Sequence, residues 1–219
     1  MLQHAQSKNL FAEFIGTAIL VATVVGSGIM ATNLTQDVGL QLLCNTIPTG
    51  AILFVLISIL GPVSGAHFNP VVTAVFALNK SLPSHKVVGY ITAQIAGGIA
   101  GTMLAHVMFD MNIIEFSIKV RTGNAIWISE IVATFCLVLA IMIGSKHALS
   151  NIPAVVAFYI TAAYWFTAST SFANPAVTIA RSLTNSFSGI APSSVSGFIL
   201  AQCIGGYIAL LVAEWLMAE

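Results

Sequence analysis

The feature that most constrains this chain is the spacing of its charged residues. Long uncharged intervals separate them: the interval from Glu13 to Asp37 holds 23 residues, and the interval from Asp37 to Lys80 holds 42. A membrane-spanning helix needs about 20 predominantly apolar residues. The intervals along the chain therefore predict six spans, two of them accompanied by an extra short apolar segment. We place the spans at residues 10–31, 42–60, 87–109, 125–144, 153–170 and 195–217.

The composition excludes several classes of protein. Hydrophobic residues make up 58% of the 219 residues and charged residues only 6%, whereas about a quarter of a soluble domain is charged. No basic run is present that could neutralise a phosphate backbone, so we predict no nucleic-acid partner. Cys44, Cys136 and Cys203 lie in apolar stretches without metal-ligand spacing. We therefore expect no disulfide framework, no metal site and no cofactor.

The basic residues predict how the chain is oriented. If the six spans alternate in direction, one side of the membrane carries four lysines and the other carries two basic residues: Lys8, Lys80, Lys86 and Lys146 against Lys119 and Arg121. The positive-inside rule then places both termini in the cytoplasm. The short loops favour a prokaryotic inner membrane.

The two halves of the chain contain similar segments in the same order. The segment "AEFIGTAILVATVVGSG" from Ala12 matches "SEIVATFCLVLAIMIGSK" from Ser129, and "FNPVVTAVFALNK" from Phe68 matches "ANPAVTIARSLTN" from Ala173. We predict a single domain over residues 1–219, built from repeats of approximately 1–115 and 116–219. Each repeat has three spans, an odd number, so the second repeat enters the membrane from the opposite face. Inverted repeats of this kind bring broken segments together near the midplane, where transport sites form.

Two Asn-Pro segments occupy matching places in the repeats: Asn69-Pro70-Val71 and Asn174-Pro175-Ala176. Each opens a stretch of about ten apolar residues, too short to cross a bilayer. Asn caps a helix well and Pro suits its first turn, so we predict two half-helices. Irregular backbone at this depth is tolerated where it is buried in protein or lines a water-filled path. The two Asn amides would then donate to a passing oxygen, which indicates a pore for neutral molecules.

These motifs resemble those of the aquaporin, or major intrinsic protein, family. The resemblance covers essentially the whole chain, through "AEFIGT", "SGAHFNPVVT", "GYITAQIAGG" and "FANPAVT". It implies an all-α membrane protein of six transmembrane helices and two re-entrant half-helices that passively conducts small neutral solutes and water. It also implies a homotetramer in the lipid bilayer, with one pore per subunit. Glu13 and Glu130 match residues that hold the re-entrant loops in that family.

The sequence departs from most similar proteins at the narrow filter. Those proteins carry an arginine directly after the second Asn-Pro-Ala, where this chain has Val177. Ungapped spacing from the two asparagines puts the remaining filter positions at Thr49, Ala162 and Ser171. Because the counts to Thr49 and Ala162 cross loops, Ala163 or Tyr164 is the alternative to Ala162.

Small residues in the filter predict a constriction that is wider than usual and lacks a fixed positive charge. Such a ring suits small neutral polyhydroxy solutes, because the central donors remain while the size limit is relaxed. Similar arginine-lacking branches are associated with metalloids. Arsenous acid is therefore the preferred solute, with glycerol and water as alternatives, and a water-selective pore remains the competing interpretation.

Three further residues invite hypotheses. Arg181 lies four residues after Val177 and on the same helix face, so it lines a vestibule, or instead snorkels to the interface or fixes the loop 184–192. His67, two residues before the first Asn-Pro pair, is predicted to line the pore rather than only to pack in its loop. His106 is predicted to lie at the membrane interface.

The sequence gives less support to two other functions. A secondary transporter would need a titratable group that exchanges protons, and the buried carboxylates, Glu13 and Glu130, resemble loop anchors. An intramembrane enzyme would need a Ser/His/Asp set, a His-Glu-x-x-His motif or paired aspartates, none of which the spans contain. We therefore predict a channel and not an enzyme.

Overall fold

The computed structural model describes residues 2–218, with side chains from residue 6 onward, so the two ends of the predicted 1–219 domain lie outside the described part. Within it the chain forms eight α-helices and one 3₁₀ turn, and no strand. Six helices are long and apolar enough to cross a membrane, which confirms the all-α membrane fold. The helices are α1 (Leu2–Leu34), α2 (Val38–Ser64), α3 (Pro70–Leu78), α4 (Ser84–Met108), α5 (Asn124–His147), α6 (Ile152–Phe166), α7 (Pro175–Arg181) and α8 (Pro192–Met217).

The fifth predicted span is too long at its end. We predicted residues 153–170, but α6 ends at Phe166. Thr170 and Ser171 have φ values of 62° and 47°, in the left-handed region. The helix has already ended at Thr167, whose backbone is extended, and the left-handed residues then turn the chain. The spacing of charged residues does not detect this end, because residues 167–171 are uncharged, although four of the five carry a hydroxyl group.

The two short helices meet at the centre of the bundle. Helix α3 has nine residues and α7 has seven, and each begins at the Pro that follows an Asn N-cap. We term the end of the bundle where α1 begins and α8 ends the terminal face, and the opposite end the distal face. At the terminal face, the Lys146 Nζ donates to the Met217 carbonyl at 3.0 Å. Helix α3 runs from the centre towards this face, and α7 runs towards the distal face.

Glycines allow the long helices to pack closely in both halves. A Cβ at Gly97 or Gly101 of α4 would overlap backbone carbonyls of α1, and a Cβ at Gly205 of α8 would overlap the Ile131 carbonyl of α5. These positions therefore need glycine, since a larger side chain would force the helices apart. The close α1–α4 and α5–α8 pairs hold the walls between which α3 and α7 sit.

Two loops cover the distal face and are hydrogen-bonded to one another. The segment 109–123, between α4 and α5, runs along the segment 182–191, which follows α7. Backbone bonds join them: the Ser117 amide donates to the Ser182 carbonyl at 3.1 Å, and the Ala191 amide donates to the Lys119 carbonyl at 2.8 Å. The loop after α7 is therefore held by the segment 109–123 as well as by its connection to α7.

The prediction for His106 is wrong. Its side chain is fully buried. The imidazole Nδ1 lies 2.7 Å from the Asn112 carbonyl and Nε2 lies 2.8 Å from the Thr184 hydroxyl. A buried imidazole needs partners for both ring nitrogens, and the two distal loops supply them. His106 therefore ties these loops to α4 rather than lying at a lipid interface.

Candidate functional site

A cavity of about 590 Å³ runs through the bundle beside the two half-helices. Its wall begins at the terminal face with Ser145 and Ser150. It passes both asparagines at the centre and reaches Val177 and Arg181 in the distal half. The predicted half-helix motifs and the predicted filter therefore contact one space.

The two asparagine side chains form a reciprocal pair at the centre. The Asn69 Nδ2 donates to the Ala173 carbonyl at 2.7 Å, and the Asn174 Nδ2 donates to the Phe68 carbonyl at 2.7 Å. Each Asn Oδ1 accepts from a backbone amide of its own half-helix. An amide nitrogen carries two hydrogens, so each Asn keeps one N–H in addition to this bond. Both residues line the cavity, so we expect the remaining N–H of each to be available to a molecule inside it.

The backbone before each asparagine is held in an unusual conformation. Phe68 and Ala173, the residues that accept the cross bonds, have φ values of 49° and 47°. Left-handed backbone is unfavourable for residues with a side chain and persists only where the surroundings enforce it. The enforcing groups here are the two buried carboxylates, Glu13 and Glu130.

Glu13 holds the first re-entrant loop. Its carboxylate accepts from the backbone amides of His67 at 3.0 Å and Phe68 at 2.7 Å. It also accepts from the Ser64 hydroxyl at 2.6 Å and from the Gln94 amide at 2.8 Å. Four donors surround a fully buried carboxylate, which compensates for its lost hydration.

Glu130 holds the second re-entrant loop in the same manner but with three donors. The backbone amides of Phe172 and Ala173 both donate at 2.9 Å, and the Gln202 amide donates at 2.6 Å. Gln202 also donates to the Thr178 hydroxyl at 2.9 Å, so it connects α8 to α7. Both carboxylates thus contact the loops that the family resemblance assigns to them.

Three of the predicted filter residues come together in the distal half of the cavity. Thr49 Oγ1 lies 3.4 Å from the Tyr164 hydroxyl. Ser171 also lines the cavity, and its Oγ is buried without a hydrogen-bond partner within the described protein. Val177 lies on the same wall. The lining of the distal half therefore combines hydroxyl-bearing residues with an apolar side chain.

Ala162 does not belong to this group. It is exposed on the outer side of α6, whereas Tyr164 is buried and lines the cavity. Two residues along an α-helix are about 200° apart, so a two-residue error in a count moves a side chain to the opposite face. Of the two alternatives, Ala163 is buried without lining the cavity, and Tyr164 occupies the predicted place. An aromatic ring therefore stands where a small side chain was expected.

Arg181 lines the cavity and also fixes the distal loop. Its side chain is 2% exposed, which excludes snorkelling. Its Nε donates to the Ser188 carbonyl, within the loop 184–192. Its guanidinium carbon lies 3.4 Å from the centroid of the Phe172 ring. A cation therefore stands one helical turn beyond Val177, as the vestibule hypothesis for Arg181 has it, while Thr49, Ser171 and Val177 carry no charge.

His67 lies on the cavity wall towards the terminal face. Its Nδ1 is 3.1 Å from the Thr73 hydroxyl, and its ring centroid is 4.9 Å from that of Phe76. Sequence reasoning singled out neither Phe76 nor Phe172, although both contact a predicted pore residue. Spacing in the repeat could have revealed them, since Phe76 and Arg181 each lie seven residues after an Asn, and His67 and Phe172 each lie two residues before one.

Comparison with known proteins gives a consistent result. Residues 1–152 match the family model described as "Major intrinsic protein". Aquaglyceroporin AqpS of Rhizobium meliloti (strain 1021) is 56% identical over 211 residues, which cover 96% of this chain and 91% of that protein. The glycerol uptake facilitator protein of Streptococcus pneumoniae is 35% identical over 148 residues, covering 61% of this chain and 62% of that protein.

A solved structure agrees in architecture. The aquaglyceroporin from Plasmodium falciparum superposes with a TM-score of 0.75 and covers 97% of both chains. Its sequence identity to this chain is 19%, so the likeness concerns the fold alone.

Proposed function

Because the chain belongs to the major intrinsic protein family, we propose that its cavity is a passive path for small neutral solutes rich in hydroxyl groups. Arsenous acid is the preferred solute, and glycerol and water are the alternatives. The observation that carries this proposal is the reciprocal Asn69–Asn174 pair, which leaves one N–H of each side chain for a single shared cavity.

The central donors favour neutral oxygen-bearing molecules. A hydroxyl or water oxygen that reaches the pair can accept from both asparagines, and its own hydrogens then point away from them. This orientation interrupts the hydrogen-bonded file along which a proton would pass. A cation gains nothing from two donors and loses its hydration in an apolar passage. Neutral solutes therefore cross the centre at lower cost than ions.

The distal lining supports a polyhydroxy solute. Thr49, Ser171 and Tyr164 are hydroxyl-bearing residues of the lining, while Val177 provides an apolar surface. Glycerol has hydroxyl groups along one edge and hydrogens on carbon along the other, so it can use both kinds of wall. Arsenous acid is an uncharged trihydroxide of similar size and meets the same donors and acceptors.

We further propose that the terminal face lies in the cytoplasm of a prokaryotic cell and that the chain forms a homotetramer in the inner membrane. The lysine distribution supports the orientation. Exposed large apolar side chains on the outer surfaces of the helices, such as Phe158 and Leu200, suit lipid and neighbouring copies.

Stopped-flow light scattering on proteoliposomes tests the conducted solutes. We expect glycerol and arsenous acid to enter faster than they enter empty liposomes, without saturation at millimolar concentration. A transmembrane proton gradient should not drive accumulation of either solute. Entry rates equal to those of empty liposomes would refute the channel, and gradient-driven accumulation would establish a coupled transporter in its place.

A further inference from the structure

The distal half of the cavity contains a buried cation without an anionic partner. Within the described part of the chain, Arg181 forms one side-chain hydrogen bond, from Nε to the Ser188 carbonyl, and no carboxylate lies at salt-bridge distance. Its two Nη nitrogens have no protein acceptor there, and the residue lies on the cavity wall. An arginine side chain stays protonated in proteins, so this wall carries a full positive charge.

The position of this charge is fixed by its neighbours. The guanidinium packs against the Phe172 ring, which also has the Phe198 ring at 5.0 Å. The backbone of Phe172 is in turn held by the Glu130 carboxylate. Stacking on an aromatic face and a bond to a carbonyl leave the guanidinium little freedom. The charge therefore stays at the wall instead of moving into the surrounding solvent.

The neighbouring charges do not neutralise it. Glu130 is a carboxylate whose charge acts on Arg181, but its oxygens already accept from three donors. Arg121 also acts on it, but with the same sign. Arg121 does not line the cavity. Its guanidinium instead donates to the Gly189 and Ser169 carbonyls.

The matching position in the other half of the molecule carries no charge. Phe76 lies seven residues after Asn69, as Arg181 lies seven residues after Asn174, and both side chains line the cavity. The fixed charge is therefore a property of one end of the cavity and not a consequence of the repeated fold.

We propose that Arg181 adds a second barrier against cations and protons to the one that the central asparagines provide, acting from one helical turn beyond the filter position that Val177 occupies. The proposal rests on the proposed function, since a cation barrier has an effect only in a conducting pore. A fixed positive charge in a narrow passage between apolar walls opposes the entry of any cation. Its distance along α7 from Val177, about 6 Å, leaves the apolar wall beside Val177 free for the solute.

The test compares ion leak with solute flux in the same proteoliposomes. Proton leak is measured with an enclosed pH-sensitive dye under a valinomycin-clamped potassium gradient, and glycerol flux by light scattering. Arg181→Gln keeps a donor for the Ser188 carbonyl but removes the charge. We expect its proton leak to rise roughly tenfold over wild type, while glycerol flux stays within about twofold.

Two further variants separate charge from structure. Arg121→Gln removes a nearby cation that also packs on Phe172 but does not line the cavity, and we expect it to leave the leak unchanged. The double variant Val177→Arg with Arg181→Gln returns a guanidinium to the cavity one turn further in. We expect it to restore the low leak, which a purely structural role of Arg181 would not allow.

The outcomes distinguish the two proposals. Wild-type glycerol flux no greater than that of empty liposomes refutes the proposed function itself. Normal glycerol flux with an unchanged leak in Arg181→Gln refutes the role of Arg181 alone. A folded double variant with a low leak supports the proposal, and a leak as high as that of Arg181→Gln overturns it.

Discussion

The two re-entrant loops share a scaffold but differ in the side chains that they present to the pore. In both, a buried glutamate holds left-handed backbone and an asparagine donates across the centre. Towards the terminal face, His67 packs on Phe76; towards the distal face, Phe172 packs on Arg181. The repeated parts are those that shape the backbone, because both half-helices need the same strained turn. The unrepeated parts are free to differ, so the two ends of the pore have different chemistry.

The largest effect should come from removing a loop-holding carboxylate. Glu13→Ala leaves four donors without their acceptor and Glu130→Ala leaves three. Each buried unsatisfied donor costs about 1–3 kcal/mol. We therefore expect both variants to lose most folded protein, and Glu13→Ala to lose more. Thermal unfolding in detergent, followed by size-exclusion chromatography, measures this difference, and equal stability of Glu13→Ala and wild type would contradict it.

Substitution of Asn69 and substitution of Asn174 should reduce glycerol permeability equally. Asn69→Ala and Asn174→Ala each remove one cross bond, one N-cap and one donor at the cavity. A lost cap costs about 1 kcal/mol of stability. We expect glycerol permeability to fall roughly tenfold in each, the effect of about 1.4 kcal/mol on the barrier. Permeability measured by light scattering should agree between the two variants, and a strong effect in only one would show that the asparagines are not equivalent.

Glycerol flux should be more sensitive to substitution of Val177, in the distal half of the cavity, than of Val72, the matching residue in the terminal half. Val177→Arg adds a long charged side chain near Tyr164 and the Ser171 hydroxyl. Val72→Arg makes the same change three residues after Asn69, on the same cavity wall. We expect Val177→Arg to reduce glycerol flux roughly fivefold while sparing water, because water is smaller than the narrowed ring. Glycerol flux that falls only in Val72→Arg would place the constriction at the terminal end.

We expect a smaller effect of pH on the stability of the folded state, through Lys119 at the distal face. Loss of hydration, and then the charges of Arg121 and Arg181, lower the pKa of Lys119 from 10.5 to about 8. Below pH 8 this lysine is charged in both the folded and the unfolded chain. Between about pH 8 and 10.5 the folded protein binds fewer protons, so rising pH favours the folded state in this window. Acylation of Lys119 followed by mass spectrometry should give a midpoint near pH 8, and Arg121→Gln should raise it.

Much of the fold followed from local rules. A length of about 20 apolar residues defines a span whatever its neighbours are, and the structure places six helices within a few residues of the predicted spans. The Asn-Pro pairs predicted half-helices because capping and proline geometry act within one turn. The spacing of charged residues did not predict the end of α6 at Phe166, since the segment 167–171 that follows it carries no charge.

The site was predicted less completely. The sequence indicated Thr49, Ser171 and Val177, which line the cavity. It favoured Ala162, because counting across a loop does not give the rotation of the next helix. It also left open whether Arg181 faces solvent, loop or cavity, since a flexible side chain on the correct helix face can reach all three.

The sequence alone determined that the chain crosses the membrane six times, that it repeats, and that two capped half-helices interrupt it, because these depend on residue type and on distance along the chain. Tertiary structure alone decided that Tyr164 faces the cavity, that His106 ties two loops together, and that Phe172 and Ser188 hold the Arg181 charge at the wall. These contacts join residues that lie far apart in sequence or in separate elements. Their geometry depends on how helices rotate and pack against one another, which no local pattern specifies.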